Sequence, residues 1–140
     1  MGLILDTSVL VAAERREFQI TAFLVAQPVA PVRLAAVTYS ELLHGLERAA
    51  DAQIRARRRR FIEGILSLTG IVGFNQREAE LHARLWANLE SRGQIIGAHD
   101  LQIAATALSL DYSLATLNLR EFSRVPGLKL ADVAPFRIAK

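Results

Sequence analysis

Three carboxylates and one carboxamide occupy similar places in this 140-residue sequence, each beside a boundary between an apolar run and a helical pattern. Asp6 closes Leu3-Ile4-Leu5, and Glu41 lies just past the run Val32–Val37. Asp100 falls in the first turn of an alanine-rich segment, and Asn118 comes just after Ser113–Thr116. Carboxylates drawn together in this way repel one another and repel a phosphodiester. A hard divalent cation reverses the sign of that field, and Mg2+, with Mn2+ as a substitute, suits an all-oxygen donor set. One or two such ions activate water and stabilise the leaving oxygen in phosphodiester hydrolysis. The chain has no cysteine and its three histidines are scattered, so thiolate metal sites and disulfides are excluded.

Each of these residues also has a plainer role. Asp6 suits the N-cap of the helix it precedes, and Thr38-Tyr39-Ser40-Glu41 has the spacing of a capping box. Asp100 would complement a helix dipole, and Asn118 suits a turn. Taken one at a time, the residues leave both roles open. Only convergence on one sheet edge would separate them.

The surrounding pattern supplies such an edge. Leu3–Leu5, Val32–Val37, Gly70–Phe74 and Ser113–Thr116 read as short buried strands, and Lys129-Leu130 as an edge strand. Between them run predicted helices over 7–14, 18–26, 38–50, 51–68, 75–91 and 99–110, with a short helical turn over 119–122. Pro28 and Pro31 bracket a loop, and Arg92-Gly93 ends a helix as glycine commonly does. Alternation of this kind gives an α/β fold with a mainly parallel sheet, in one domain spanning 1–140. Acids placed after parallel strands then meet at the carboxyl edge, where such sheets bind ligands.

Just over half the residues are hydrophobic, enough for a full core. No apolar run approaches the roughly 18 residues of a membrane span, and no signal peptide is recognisable, so the expectation is a soluble, cytoplasmic protein. The net charge is +3 and the basic residues are overwhelmingly arginine, whose planar fork suits phosphate. The densest run, Arg55-Ala56-Arg57-Arg58-Arg59-Arg60, places Arg57 and Arg60 on the wet side of a helix, Arg55 and Arg59 at its edges and Arg58 within the apolar face. Arg55, Arg58 and Arg59 are the candidates for contact with RNA or with an acidic partner segment. No aromatic residue interrupts the run, so base stacking is not indicated there. His44 and His99 read as surface histidines, and His82 shares a stripe with Ala79 and Trp86.

The order and surroundings of the acids resemble the PIN-domain nucleases, in particular the VapC toxins of prokaryotic toxin–antitoxin pairs. Leu5-Asp6-Thr7-Ser8-Val9-Leu10 resembles the first acidic motif, and Thr38-Tyr39-Ser40-Glu41-Leu42-Leu43-His44-Gly45 the second. Ile96-Gly97-Ala98-His99-Asp100-Leu101-Gln102-Ile103-Ala104-Ala105 resembles the third, and Ala115-Thr116-Leu117-Asn118-Leu119-Arg120-Glu121-Phe122 the fourth. The resemblance implies a PIN-like three-layer α/β/α fold with four or five strands, and a Mg2+-dependent endoribonuclease acting on tRNA or an rRNA loop. It further implies inhibition by a VapB-type antitoxin, a homodimer and a toxin–antitoxin hetero-oligomer. By carry-over, Asp6, Glu41 and Asp100 are the catalytic metal ligands, and Thr7, Thr116 and Asn118 line their pocket. Asn118 stands where many relatives have a fourth aspartate, which lowers the charge of the pocket. Glu121, one helical turn on, is the candidate to compensate.

Two other classes compete. A catalytically weak PIN-like module that binds RNA or a protein partner is kept open by Asn118. A phosphatase of the haloacid-dehalogenase type needs a second acid two residues after the first, where this chain has Ser8.

Overall fold

Leu3, Ile4 and Leu5 are all buried, which a strand achieves only when both faces of its sheet are covered. A computed structural model, describing residues 2–27 and 31–138, shows how that is done. Strands β1 (Leu3–Leu5), β2 (Val32–Ala35), β3 (Gly70–Val72) and β4 (Ser113–Ala115) form a sheet in the order β3-β2-β1-β4. Every pairing is parallel. Helices α1 (Thr7–Glu14), α2 (Ile20–Ala26), α3 (Ala36–Glu47), α4 (Ala52–Leu68), α5 (Gln76–Ser91), α6 (Ala98–Leu110) and α7 (Leu119–Phe122) surround it.

Side chains alternate across a strand, so each strand feeds two cores. Leu3, Leu5, Leu34 and Ala115 pack on one face with Val9, Leu10 and Phe23 from α1 and α2 and Ile65 from α4. Ile4, Ala35 and Leu114 pack on the other with Leu85 and Leu89 of α5 and Leu101, Ala104 and Ala107 of α6. The result is a three-layer α/β/α arrangement. The small side chains of α6 let it lie against both α5 and the sheet, and Ala104, Ala105 and Ala107 are wholly buried.

The strand order also creates a switch point. The chain moves outward from β1 through β2 to β3, then returns to place β4 on the other side of β1. Beyond the carboxyl ends of β1 and β4 the connections diverge and leave a crevice.

Several boundaries differ from the expectation. The second strand ends at Ala35, and α3 begins at Ala36 rather than Thr38, because Ala36-Val37 is a buried helical start that periodicity cannot tell from a buried strand. Thr38 is therefore the third residue of the helix, fully buried, and Glu41 lies in its second turn rather than its first. The helix also stops at Glu47, not Ala50. Lys129-Leu130 makes no full strand. Leu114 N–H donates to Lys129 and Ala131 N–H to Leu114, giving a single parallel bridge. Pro28 lies outside the described residues, while the Pro31 carbonyl accepts from Leu3 N–H at 2.9 Å.

Phe23 ties the ends of the chain together. Its ring meets Phe18 at 5.6 Å and Phe136 at 5.3 Å between centroids, both edge-on. Phe23→Ala should lower unfolding free energy by about 3–5 kcal/mol, whereas Val25→Ala, at a residue 79% exposed, should change it by less than about 0.5 kcal/mol. Urea denaturation of both variants checks this, and equal losses would show that the aromatic cluster is not a principal tie.

Candidate active site

Asp6 leaves the end of β1 at the switch point, with its backbone N–H still paired to the Ala115 carbonyl of β4 at 2.9 Å. It stands at the N-cap position of α1, but its side chain makes no capping hydrogen bond. Instead Oδ2 accepts from Ser8 Oγ at 2.6 Å and from Thr116 Oγ1 at 2.8 Å. Each hydroxyl is itself engaged from behind. Ser8 Oγ accepts from Leu117 N–H at 3.0 Å, and Thr116 Oγ1 accepts from Asn118 N–H at 2.9 Å. A buried carboxylate is thus joined through two hydroxyls to the loop after β4. Burial raises the pKa of Asp6, and the Ser8 and Thr116 hydroxyls oppose that rise, with smaller help from nearby backbone amides.

Glu41 reaches the site from α3. Its Oε1 accepts from Thr7 Oγ1 at 2.7 Å, and its Oε2 lies 3.4 Å from Nδ1 of His99. The capping-box arrangement therefore does not occur: Thr38 is interior to the helix, and Glu41 turns toward α1 and α6. Asp100, in the first turn of α6, lies within the field of Asp6, Glu121 and Glu41. Burial first, and then those three negative charges, push its pKa to about 7, and a hydrogen bond to Glu121 favours the retained proton.

Glu121 is held in place by two other donors. Gly97 N–H donates to Oε1 at 2.6 Å and Asn118 Nδ2 donates to Oε2 at 2.9 Å. These bonds, the Asn118 amide foremost, hold its pKa below the usual carboxylate range. Gly97 also leaves little room, since a Cβ there would stand 3.3 Å from Asp100 Oδ2.

The structure brings Asp6, Glu41, Asp100, Asn118 and Glu121 to one end of the sheet, with Thr7 and Thr116 bonded among them. As the side chains stand, no three carboxylates or histidines among the described residues form a ready-made ion cage. The reason is visible in their partners. Glu41 is drawn to Thr7 and His99, and Glu121 to Gly97 and Asn118, while the raised pKa of Asp100 favours its neutral form. The donors are hard oxygens whose mutual repulsion a cation would relieve, and Asp100 already keeps a proton where a cation would compete with it. That chemistry fits a divalent ion of the Mg2+ class.

Arg124 is close enough for its charge to help lower the pKa of Glu121, whereas the arginines of the α4 run have partners outside the cluster. Arg58 Nε donates to Glu14 at 3.2 Å and its Nη1 to the Gly45 carbonyl at 2.9 Å, so its place within the apolar face is explained by ties to α1 and α3. Arg55 bonds the Leu46 carbonyl and Glu47 at the end of α3, and Arg59 is exposed. His82 stacks edge-on between Phe74 and Trp86, away from the acids, and burial lowers its pKa. Ser8 is the participant that sequence spacing did not single out. Its one legible sign was a hydroxyl two residues after an acid at a strand end, the local setting of an ST-type turn.

Comparison with known proteins agrees with this geometry. A PIN-domain family profile matches residues 3–128. Ribonuclease VapC of Rickettsia bellii is 36% identical over 133 residues, covering 95% of this chain and 97% of that protein. The tRNA(fMet)-specific endonuclease VapC of Salmonella typhimurium is 29% identical over 99 residues, 71% of this chain and 73% of that one. Among solved structures, VapBC-1 from nontypeable Haemophilus influenzae superposes with a TM-score of 0.84 at 28% identity, covering 96% of this chain and 99% of its own. With the acids of all four motifs gathered at the switch point of a matching fold, the chain belongs to the PIN-domain family, among the VapC ribonucleases.

Proposed function

We propose that this chain, working as one PIN domain, is a divalent-metal-dependent endoribonuclease and the toxin of a VapBC-type pair, restrained by a VapB-type antitoxin. The observation that carries this is the placement of Asp6, Glu41 and Glu121 around Asp100, close enough for all three charges to raise its pKa, at the end of β1 and β4. Such crowding destabilises the apo protein, and a bound cation would turn it to use.

Asp6, Glu41 and Asp100 would hold Mg2+ or Mn2+, with Glu121 and Asn118 beside them. When bound, the cation supplies the positive charge that admits a phosphodiester and lowers the pKa of the attacking water. The remaining work falls to this chain's side chains. Ser8 and Thr116 fix Asp6 with both hydroxyl protons on one oxygen. Thr7 orients Glu41, and Asn118 with Gly97 fixes Glu121, one of the charges that raise the pKa of Asp100. Arg55, Arg58 and Arg59 on α4 are proposed contacts for RNA or the antitoxin, Arg59 being the one fully turned to solvent.

RNA is the proposed substrate, tRNA or an rRNA loop in particular, and the name of one relative, a tRNA(fMet)-specific endonuclease, supports the first of these. The neighbouring VapBC complexes support an antitoxin partner, and a homodimer within a larger toxin–antitoxin assembly completes the proposal. Among the described residues no helix is long and apolar enough to cross a membrane, in keeping with a cytoplasmic place of action. A second reading, a binding module with little turnover, is favoured by one observation only: the fourth motif presents Asn118 where a carboxylate would add charge.

Asp6→Asn and Asp100→Asn should each lower RNA cleavage at least about a hundredfold, the scale of losing a principal electrostatic group. EDTA should stop the wild type, and excess Mg2+ should restore it. Undiminished cleavage in EDTA would refute the metal mechanism.

The proton on Asp100 gives a second test. Its pKa is about 7 in the folded chain against 3.8 for the ordinary group, so the folded state binds more protons than the unfolded between those values. Stability without divalent ions should therefore fall as pH rises from about 4 to about 7, with Asp6 acting in the same sense. Mg2+ competes with that proton, so it should raise Tm more at pH 7.5 than at pH 5.5. Asp100→Asn should flatten both trends. Thermal melts at the two pH values, with and without Mg2+, decide the matter, and an equal Mg2+ response at both would remove Asp100 from the site.

A further inference from the structure

Glu41, His44, Gly45 and Arg48 recur along α3 at intervals of three, four and seven residues, so they form one stripe. Across the seam, α1 contributes Thr7 at its start and Arg15 at its C-cap. Between the two helices runs an open groove of about 790 Å³, lined by these residues together with Arg58 and His99. Its acidic end is Glu41. Seven residues at about 1.5 Å each put Arg48 roughly 10 Å further along the helix.

The cations in this groove are not equivalent. Arg58 is committed to Glu14 and the Gly45 carbonyl. Arg15 and Arg48 are exposed, and no hydrogen bond or ion pair engages either guanidinium among the described residues. Each stands at a helix C-cap, where any cation complements the dipole. That accounts for one arginine per helix. It does not account for the two lining a single groove whose other end is the acidic site.

The described residues lining the groove include no Phe, Tyr or Trp, so any base stacking there falls to the imidazoles of His44 and His99. Planar guanidinium groups instead suit phosphate oxygens. A centre of four carboxylates repels an RNA strand, and cations set beside Asp6 or Asp100 would neutralise the charge that attracts the metal. Arginines about two helical turns away, Arg48 from Glu41 and Arg15 from Thr7, escape both difficulties.

We propose that Arg15 and Arg48 form a backbone-phosphate subsite, holding the RNA a nucleotide or two from the bond that is cut. The subsite rests on the nuclease reading above and adds to it. It binds without regard to base, so discrimination between RNAs arises elsewhere on the surface.

The test uses the full chain carrying Arg15→Gln and Arg48→Gln together. A fluorescein-labelled single-stranded RNA of a dozen nucleotides is titrated in EDTA over a range of salt, and cleavage is followed separately in Mg2+. Dissociation constant and KM should rise about tenfold with kcat within about twofold, the pattern of lost uniform binding. The slope of log affinity against log salt should become shallower by about 1.4, at roughly 0.7 per phosphate contact on a single strand. Arg15→Lys with Arg48→Lys should keep the wild-type slope, which also separates lost contact from lost folding. Arg77→Gln with Arg84→Gln, the same charge removed from exposed positions on α5, should leave slope and KM unchanged.

A glutamine double variant with wild-type KM and slope overturns the subsite while leaving the nuclease intact. Equal losses in the α5 control overturn it too, by making the effect one of bulk charge. So does a variant that keeps its RNA affinity but loses the antitoxin, since the groove would then dock protein. Wild-type protein that binds RNA with an Arg15- and Arg48-dependent slope yet never cuts it overturns the nuclease reading alone. A wild type that neither binds the RNA in EDTA nor cuts it in Mg2+ overturns both.

Discussion

The structure turns on one buried carboxylate. Asp6 is 3% exposed at the end of a fully buried strand, where an unpaired charge would be prohibitive. Two hydroxyls meet the need, and each is polarised by a backbone N–H behind it: Leu117 N–H to Ser8 to Asp6, and Asn118 N–H to Thr116 to Asp6. Chains of this kind strengthen one another in a low dielectric. They also fix geometry, because the loop after β4 is held by the same hydroxyls that hold the acid. The end of β1 and the end of β4 are thereby a single unit, and the switch point between them becomes a rigid place for chemistry.

The neighbours of Asp6 show the opposite economy. Glu41 and Glu121 are near enough to Asp100 to raise its pKa, and each of the two is held by whatever donor is at hand: a threonine and a histidine, a glycine amide and an asparagine amide. None of these donors is a strong counter-charge. An arginine within this cluster would satisfy the acids and fill the place of a cation. Of the arginines lining the adjoining groove, Arg58 lies on α4 and Arg15 and Arg48 at the far ends of α1 and α3, while Arg124, whose charge reaches Glu121, is tied to the Ile95 carbonyl. Separation of opposite charge within one face of the molecule is the arrangement expected where the acids serve a ligand and not the fold.

Much of this was legible in the sequence because it depends on strand ends. The run Leu3-Ile4-Leu5 stopping at Asp6, and Ser113–Ala115 followed by Thr116 and Asn118, announce their positions once the sheet is taken as parallel. Glu41 was legible as a site residue but not in its setting. Ala36-Val37 is apolar enough to pass for strand, and that displacement by two residues made Thr38 look like a cap. Arg58 was visible as an anomaly on an apolar face, yet its partners lie 44 and 13 residues away, a separation local pattern does not encode. Ser8 was hidden for the same reason. Its partner Leu117 is 109 residues off and becomes a neighbour only when β1 and β4 pair.

The fourth corner is where composition and geometry give different impressions. By composition, Asn118 in place of an aspartate looks like a lost ligand. By geometry, its side-chain nitrogen donates to Glu121 at 2.9 Å, and an ionised aspartate has no proton to donate there. A carboxylate at 118 would add a further like charge beside Glu121 and leave that residue's second oxygen without a donor. The amide instead holds Glu121 ionised, its pKa pulled below the ordinary range, within reach of Asp100. Negative charge at the fourth motif is therefore moved by three residues rather than removed. The crevice at the switch point keeps four acids, one of which, Asp6, is locked by hydroxyls, while the others are set by weaker donors that a cation can displace.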